Sequence, residues 1–217
     1  MFEIPPGACV ATKKKGIPGW FLENFFSPRT DRVHHVLIRG YVPEIDDYEF
    51  IESIHIGLFG KGIRHGYLFA EYEGVDVEIY TVSSVDPTTA KRAPLELIRF
   101  GKSPYDFFLI ISVLSQIPWI ILRNLLKERR IRKLRAQDFR YKPDTAFLCT
   151  EVYWHAYHLV GVDIVPTGVL LFPSAYKEAL DKGVIRLYYK GILRRNVDAT
   201  AGKKRSTASN TALAADE

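Results

Sequence analysis

The residues of this chain that could do chemistry converge on one cysteine. Cys149 lies in FLCTEVYWHAYHLVG, and Val152, Tyr153, Ala156, Tyr157 and Val160 follow it at i+3, i+4, i+7, i+8 and i+11. That spacing predicts a helix that begins near Cys149, carries one apolar stripe and stops at Gly161. A thiol at a helix N-terminus meets unpaired backbone N–H groups and the positive end of the helix dipole, and both favour the thiolate. Beside a histidine, such a thiolate is a nucleophile for acyl chemistry. The competing reading is a small buried apolar side chain, the usual role of a free cysteine, and helix position alone favours it. Cys9 sits in a strand-like run without a charged neighbour and reads as buried.

A nucleophile needs a base, and the chain has six histidines. His155 and His158 share the helix with Cys149 but project about 240° and 180° away from it, at roughly 100° per residue. They cannot reach the sulfur. His34, His35, His55 and His65 are left, all in the first half of the chain. A base held on a strand and facing a nucleophile at a helix N-terminus is a working arrangement for a thiol hydrolase.

The elements that must position these groups follow from pattern. ACVAT, RVHHVLI, YEFIESI and VDVEIYTV are short, β-branched or aromatic, and separated by Gly, Pro and Asp, so they read as strands. GWFLENFF reads as a short helix, and LFGKGIRHGYLFAEYEG as a loop or hairpin. From Ala93 the period becomes helical. Strands return at VDIVPTGVLLFP and VIRLYYKGIL. Strands followed by helices indicate an α+β class rather than a doubly wound parallel sheet. Residues 196–217 are rich in Ala, Ser and Thr and poor in large apolar side chains, which predicts a disordered tail.

Composition bounds the rest. With 217 residues and 47% hydrophobic content the chain can bury a real core, which excludes a wholly disordered protein. Its 30 basic and 25 acidic residues give a net charge of +5, and two cysteines exclude a disulfide framework. No secretory signal is visible at the N-terminus, which points to a cytoplasmic or peripheral membrane location. Phe107 to Leu122 runs 16 residues without a charge, short of the roughly 20 that a span needs. It reads as a buried or surface-lying helix, kinked near Pro118. RNLLKERRIRKLR, residues 123–135, then carries seven basic residues and one acid. This run reads as a solvated face or as a basic amphipathic helix for anionic lipid. Nucleic acid is disfavoured, since no aromatic platform accompanies the charges.

Six segments, in order, resemble the circularly permuted papain-fold (YiiX-like) cysteine hydrolases of the NlpC/P60 superfamily. PPGACVAT is similar to the opening strand, and FLENFFSPRTDRVHHVLI to the helix, loop and strand carrying S-H-V-G-I. YEFIESI and VEIYTV are similar to the next two strands, RFGKSPYDF to the G-x-P-Y-D segment, and FLCTEVYWHAY to the nucleophile helix C-S-E-L-V-x-x-A-Y. The resemblance covers about residues 5–161. It implies a permuted papain-like domain over 1–195, with an antiparallel sheet packed on the nucleophile helix and a helical insertion at about 107–140.

The resemblance also implies roles. Cys149 becomes the nucleophile. His35 becomes the base, because His35-Val36-Leu37-Ile38 matches H-V-G-I. Glu52 orients the base, and Tyr105 helps to hold the oxyanion. A second register, SIHIGLFGKG with LFAEYEGV, would instead make His55 the base and Glu71 the orienter. The first register is preferred because VEIYTV and GKSPYDF then fall in family order. His34 would face away from His35 and be exposed, and His65 reads as a loop residue. The implied activity is amide hydrolysis of a peptide or peptidoglycan-like substrate through an acyl-enzyme, with no cofactor or metal. Lipid acyl groups are an alternative substrate, and a non-enzymatic binding module at a membrane or in an assembly is the rival reading.

Overall fold

The structure is a computed structural model that describes residues 3–13, 24–54, 62–101, 103–129, 132–140 and 146–195. The β-branched runs become strands β1 (Cys9–Lys13), β2 (Arg32–Val42), β3 (Asp47–Ile54), β4 (Gly62–Tyr67), β5 (Asp76–Val82) and β6 (Ile185–Ile192). Every neighbouring pair is antiparallel, in the order β4-β3-β2-β1-β5-β6. Five α-helices accompany the sheet among the described residues: α1 (Leu68–Tyr72), α2 (Pro87–Glu96), α3 (Phe107–Glu128), α4 (Cys149–His158) and α5 (Pro173–Asp181). The α+β class is therefore as the sequence predicts.

Strand alternation sorts the core into two layers. Cys9, Ala11, Leu37, Ile51 and Tyr80 face one side, where they meet Val152, Tyr153, Ala156 and Tyr157 of α4 and Tyr176 of α5. Val10, Val36, Ile38, Phe50, Val77 and Ile79 face the other side, under Leu68 and Phe69 of α1. The predicted stripe of α4 is buried as expected. Thr150, Glu151 and Trp154 are buried too, so this helix is enclosed nearly all round.

Three sequence readings change. The glycine-punctuated loop or hairpin resolves, from Gly62 onward, into β4 and α1. Gly62 has φ +73°, and a Cβ there would meet the Ser103 carbonyl, so this entry to β4 requires glycine. VDIVPTGVLLFP forms turns that lead into α5, not a strand. The basic run 123–135 is not a helix of its own: residues 123–128 complete α3, and 132–135 are not helical. Asp106 caps α3 by accepting from the Leu109 N–H at 2.7 Å, and Arg129, at φ 52°, ends it in the left-handed region. Pro118 lies inside the unbroken span of α3. Most of GWFLENFF, His55 and the expected tail 196–217 lie outside the described residues.

Candidate active site

Cys149 is the first residue of α4. The turn before it is tied down from several sides. The Glu151 carboxylate folds back to accept the Leu148 N–H at 2.5 Å, which satisfies one of the donors that a helix start leaves without an intrahelical partner. The Tyr176 hydroxyl donates to the Thr150 carbonyl at 2.5 Å. Phe147 donates its N–H to the Pro104 carbonyl at 3.1 Å and accepts the Ser53 hydroxyl at 2.5 Å. The Cys149 sulfur lies 3.8 Å from the Val33 carbonyl oxygen, at the point where β2 enters the sheet. The Ser53 bond joins β3 to the turn before Cys149 across 94 residues of sequence. Ser53→Ala should therefore cost about 1–2 kcal/mol, because the buried carbonyl loses its donor. Denaturant unfolding would read this, and an unchanged midpoint would contradict it.

The imidazole beside Cys149 belongs to His34. Its Nε2 lies 2.5 Å from Glu52 Oε2 and 3.2 Å from the Tyr72 hydroxyl. With Nε2 committed to the carboxylate, Nδ1 is the ring atom left for the Cys149 sulfur, which lines the same cavity and interacts with the ring. Tyr72 donates to the same Glu52 oxygen at 2.8 Å. Arg64 bonds the other Glu52 oxygen and also reaches Glu71 at 2.9 Å. Glu52, fully buried, is thus held by three side chains.

Sheet register explains the convergence. Leu37 pairs with Ile51, which carries Glu52 opposite Val36, on the same face as His34 and one diagonal step away. Glu52 pairs directly with Arg64 across β3 and β4. Tyr72 arrives from the last turn of α1.

Charge follows geometry. Burial opposes protonation of His34, but the charge and hydrogen bond of Cys149, then those of Glu52, outweigh it and push the imidazole up to about 10. Burial likewise opposes ionisation of Glu52, yet the His34 hydrogen bond and charge, with Tyr72 and Arg64, hold the carboxyl below its usual range. The group is set up as a carboxylate and an imidazolium in a row, with the Cys149 sulfur beyond them. Tyr105 is half-buried and lines the same cavity. Burial and the nearby Cys149 and Glu151 raise its hydroxyl above the ordinary tyrosine value, so it stays a proton donor. A cavity of about 330 Å³ connects these groups, walled also by Thr12, Lys13, Ser53 and Ile54.

Comparison with known protein families, curated proteins and solved structures finds no match.

Among the residues implied by the resemblance, Cys149, Glu52 and Tyr105 share this cavity, and His35 does not. His35 lies on the other face of β2, where its ring sits 5.0 Å from that of Tyr176. It is buried, and its Nδ1 has no hydrogen-bond partner among the described residues. Burial, then the charge of His34, push it down to about 3, so it stays neutral. The histidine beside Cys149 and Glu52 is therefore one residue from the one the resemblance implies, and His34 is not the exposed bystander expected there. Of the second register, His55 lies outside the described residues, and Glu71 holds Arg64 rather than a histidine. His65 is on β4, 3.1 Å from Glu49, not in a loop. Cys9 is fully buried and burial pushes its thiol up, as befits a packing residue. Tyr72 and Arg64 were not anticipated. Arg64 stands one residue before a histidine in a glycine-flanked segment, and nothing in that pattern signals its carboxylate partner.

Proposed function

We propose that this protein is a cysteine hydrolase acting on amide bonds through an acyl-enzyme, on a permuted papain-like scaffold. One observation carries the reading: the His34 ring is shared between a buried carboxylate at 2.5 Å and a cysteine at the first turn of a helix. The Cys149 thiolate attacks the substrate carbonyl carbon, and the C–S bond forms as the carbonyl electrons move to oxygen. The Tyr105 hydroxyl and N–H groups of the first turn of α4 are the donors for that oxyanion. Collapse breaks the C–N bond, and the His34 imidazolium gives its proton to the leaving amine. Neutral His34 then takes a proton from water, whose oxygen attacks the thioester. Release of the acid regenerates the thiolate–imidazolium pair. Glu52 keeps Nε2 protonated and the ring in plane, while Tyr72 and Arg64 position Glu52.

The cavity walls favour a polar substrate. Thr12, Lys13 and the Glu52–Arg64 pair make the wall polar rather than a greasy tunnel, which supports peptide or glycopeptide amides. A lipid acyl ester or thioester is the second reading. It is favoured by the apolar exterior of α3, whose N-cap Asp106 directly follows Tyr105.

An activated acyl ester tests the chemistry without knowledge of the natural substrate. Intact mass after incubation with p-nitrophenyl acetate should reveal a hydroxylamine-labile acetyl group on Cys149, absent from Cys149→Ala. No adduct, or one on Cys9, would leave only the architecture standing.

A further inference from the structure

Helix α3 has two apolar faces pointing in opposite directions. Leu109, Val113 and Ile120 are buried in the core, together with Asn124. Between roughly 110° and 250° away, at about 100° per residue, Phe108, Ile111, Leu114, Trp119, Leu122 and Leu126 are exposed; Phe108 is 84%, Trp119 67% and Leu126 74% accessible. A surface helix of a soluble domain ordinarily turns polar residues outward, and an apolar strip of this length marks an interaction surface. The two serines in the strip do not break it. Ser112 and Ser115 are exposed, and the Ser115 hydroxyl donates to the Ser112 carbonyl at 2.8 Å, so this polar group is satisfied within the helix.

Charge says what covers it. Beyond the C-terminal half of the strip lie Arg123, Lys127, Arg129, Lys133 and Arg135, all exposed. The acids nearby are already engaged: Glu128 and Asp138 both bind Arg132, at 3.1 and 2.7 Å, and Asp138 also reaches Arg123 at 3.9 Å, which leaves Lys127, Arg129, Lys133 and Arg135 as the border. An apolar strip containing a tryptophan and bordered by a polybasic segment matches an anionic lipid leaflet, with hydrocarbon for the strip and phosphate for the border. By length and composition α3 is the one helix among the described residues apolar enough to cross a membrane. Yet its inner face is committed to the core, and the Gln116 side-chain Oε1 accepts the Arg140 N–H at 2.8 Å. A helix fastened sideways in this way lies along the surface instead of leaving the domain to span.

We propose that the outer face of α3 and its basic border dock this protein onto anionic membranes, with the helix lying in the interfacial plane. The contact goes beyond the hydrolase reading and does not depend on it.

Vesicle flotation with the full chain tests this. It should float with vesicles of phosphatidylcholine and phosphatidylserine and be released by high salt, with much weaker binding to phosphatidylcholine alone. Trp119→Ser with Leu126→Ser should weaken binding at least tenfold. Lys133→Glu with Arg135→Glu, which leaves the strip intact, should weaken it by about tenfold or more. Circular dichroism and thermal melting establish that each variant is folded. Three results would overturn the proposal: no flotation on the anionic vesicles, flotation unaltered in both folded variants, or binding that resists alkaline carbonate, the mark of a spanning helix. A vesicle-independent dimer that is lost in the Trp119 and Leu126 variant would also overturn it, by assigning the face to a second copy of the chain.

Discussion

His34→Ala should lower turnover of any amide or ester substrate by about 10²–10⁴-fold, the usual cost of removing a general acid–base. It should also change how Cys149 reacts with an alkylating probe. In the native protein the sulfur faces an imidazolium whose pKa is raised to about 10. Alkylation should therefore stay nearly level from about pH 8 down to about pH 5, as it does for an ion-paired thiolate. Without His34 the thiol loses that partner, and the rate should fall by about tenfold per pH unit below about pH 8. The slope is a better readout than a single rate, because a low-pKa thiolate is intrinsically less nucleophilic and the two effects partly cancel at neutral pH. His35→Ala is the matched control. It removes a buried ring packed on Tyr176, so it should cost roughly 1–3 kcal/mol of stability and leave the pH slope unchanged. Should His35→Ala, and not His34→Ala, steepen the slope, the assignment of the base would be reversed.

Glu52→Gln should be the second large effect, and it should appear in both stability and pH dependence. The native carboxylate is fully buried and answers His34, Tyr72 and Arg64 together. The amide keeps the shape and loses the charge. Breaking a buried charge network from one side costs about 3–5 kcal/mol. Arg64 retains Glu71, which favours the lower end and a fall in melting temperature of about 6–12 °C.

The pH windows follow from the directions of the shifts. His34 is raised from its ordinary 6.5 to about 10, so its stabilising contribution is complete below 6.5 and is lost as pH climbs through about 10. Glu52 is lowered from its ordinary 4.5, so its contribution is complete above 4.5 and is lost on acidification through its lower folded value. In Glu52→Gln the acid-side loss attributable to this group should vanish. The alkaline limb of activity, set by deprotonation of His34, should move down by about one pH unit or more. An alkaline limb that stays in place would mean that Glu52 does not support the imidazolium.

Local pattern carried a good part of this. The i, i+3, i+4, i+7 spacing from Cys149 marks the inward face of α4 and its start, because helix period depends only on neighbours in sequence. The β-branched runs that became β1, β2, β3 and β5 were visible for the same reason. So was an apolar helix after Tyr105, though its end was not: it runs on through Arg123 and Lys127 and stops at a left-handed Arg129, inside the basic run rather than before it. The choice between His34 and His35 was beyond such reasoning. Adjacent residues of a strand face opposite ways, so one step in register exchanges a base beside a carboxylate for a ring sealed under α5. The partners of Glu52 come from β2, β4 and α1, and no local signal links them. From sequence alone came the helix that begins at Cys149 and the α+β class, both written in short-range periodicity. Only the tertiary structure chose the histidine, recruited Tyr72 and Arg64, and turned the second apolar face of α3 outward. Those outcomes depend on which strand faces meet and which helices cover them, and the packed chain decides that as a whole.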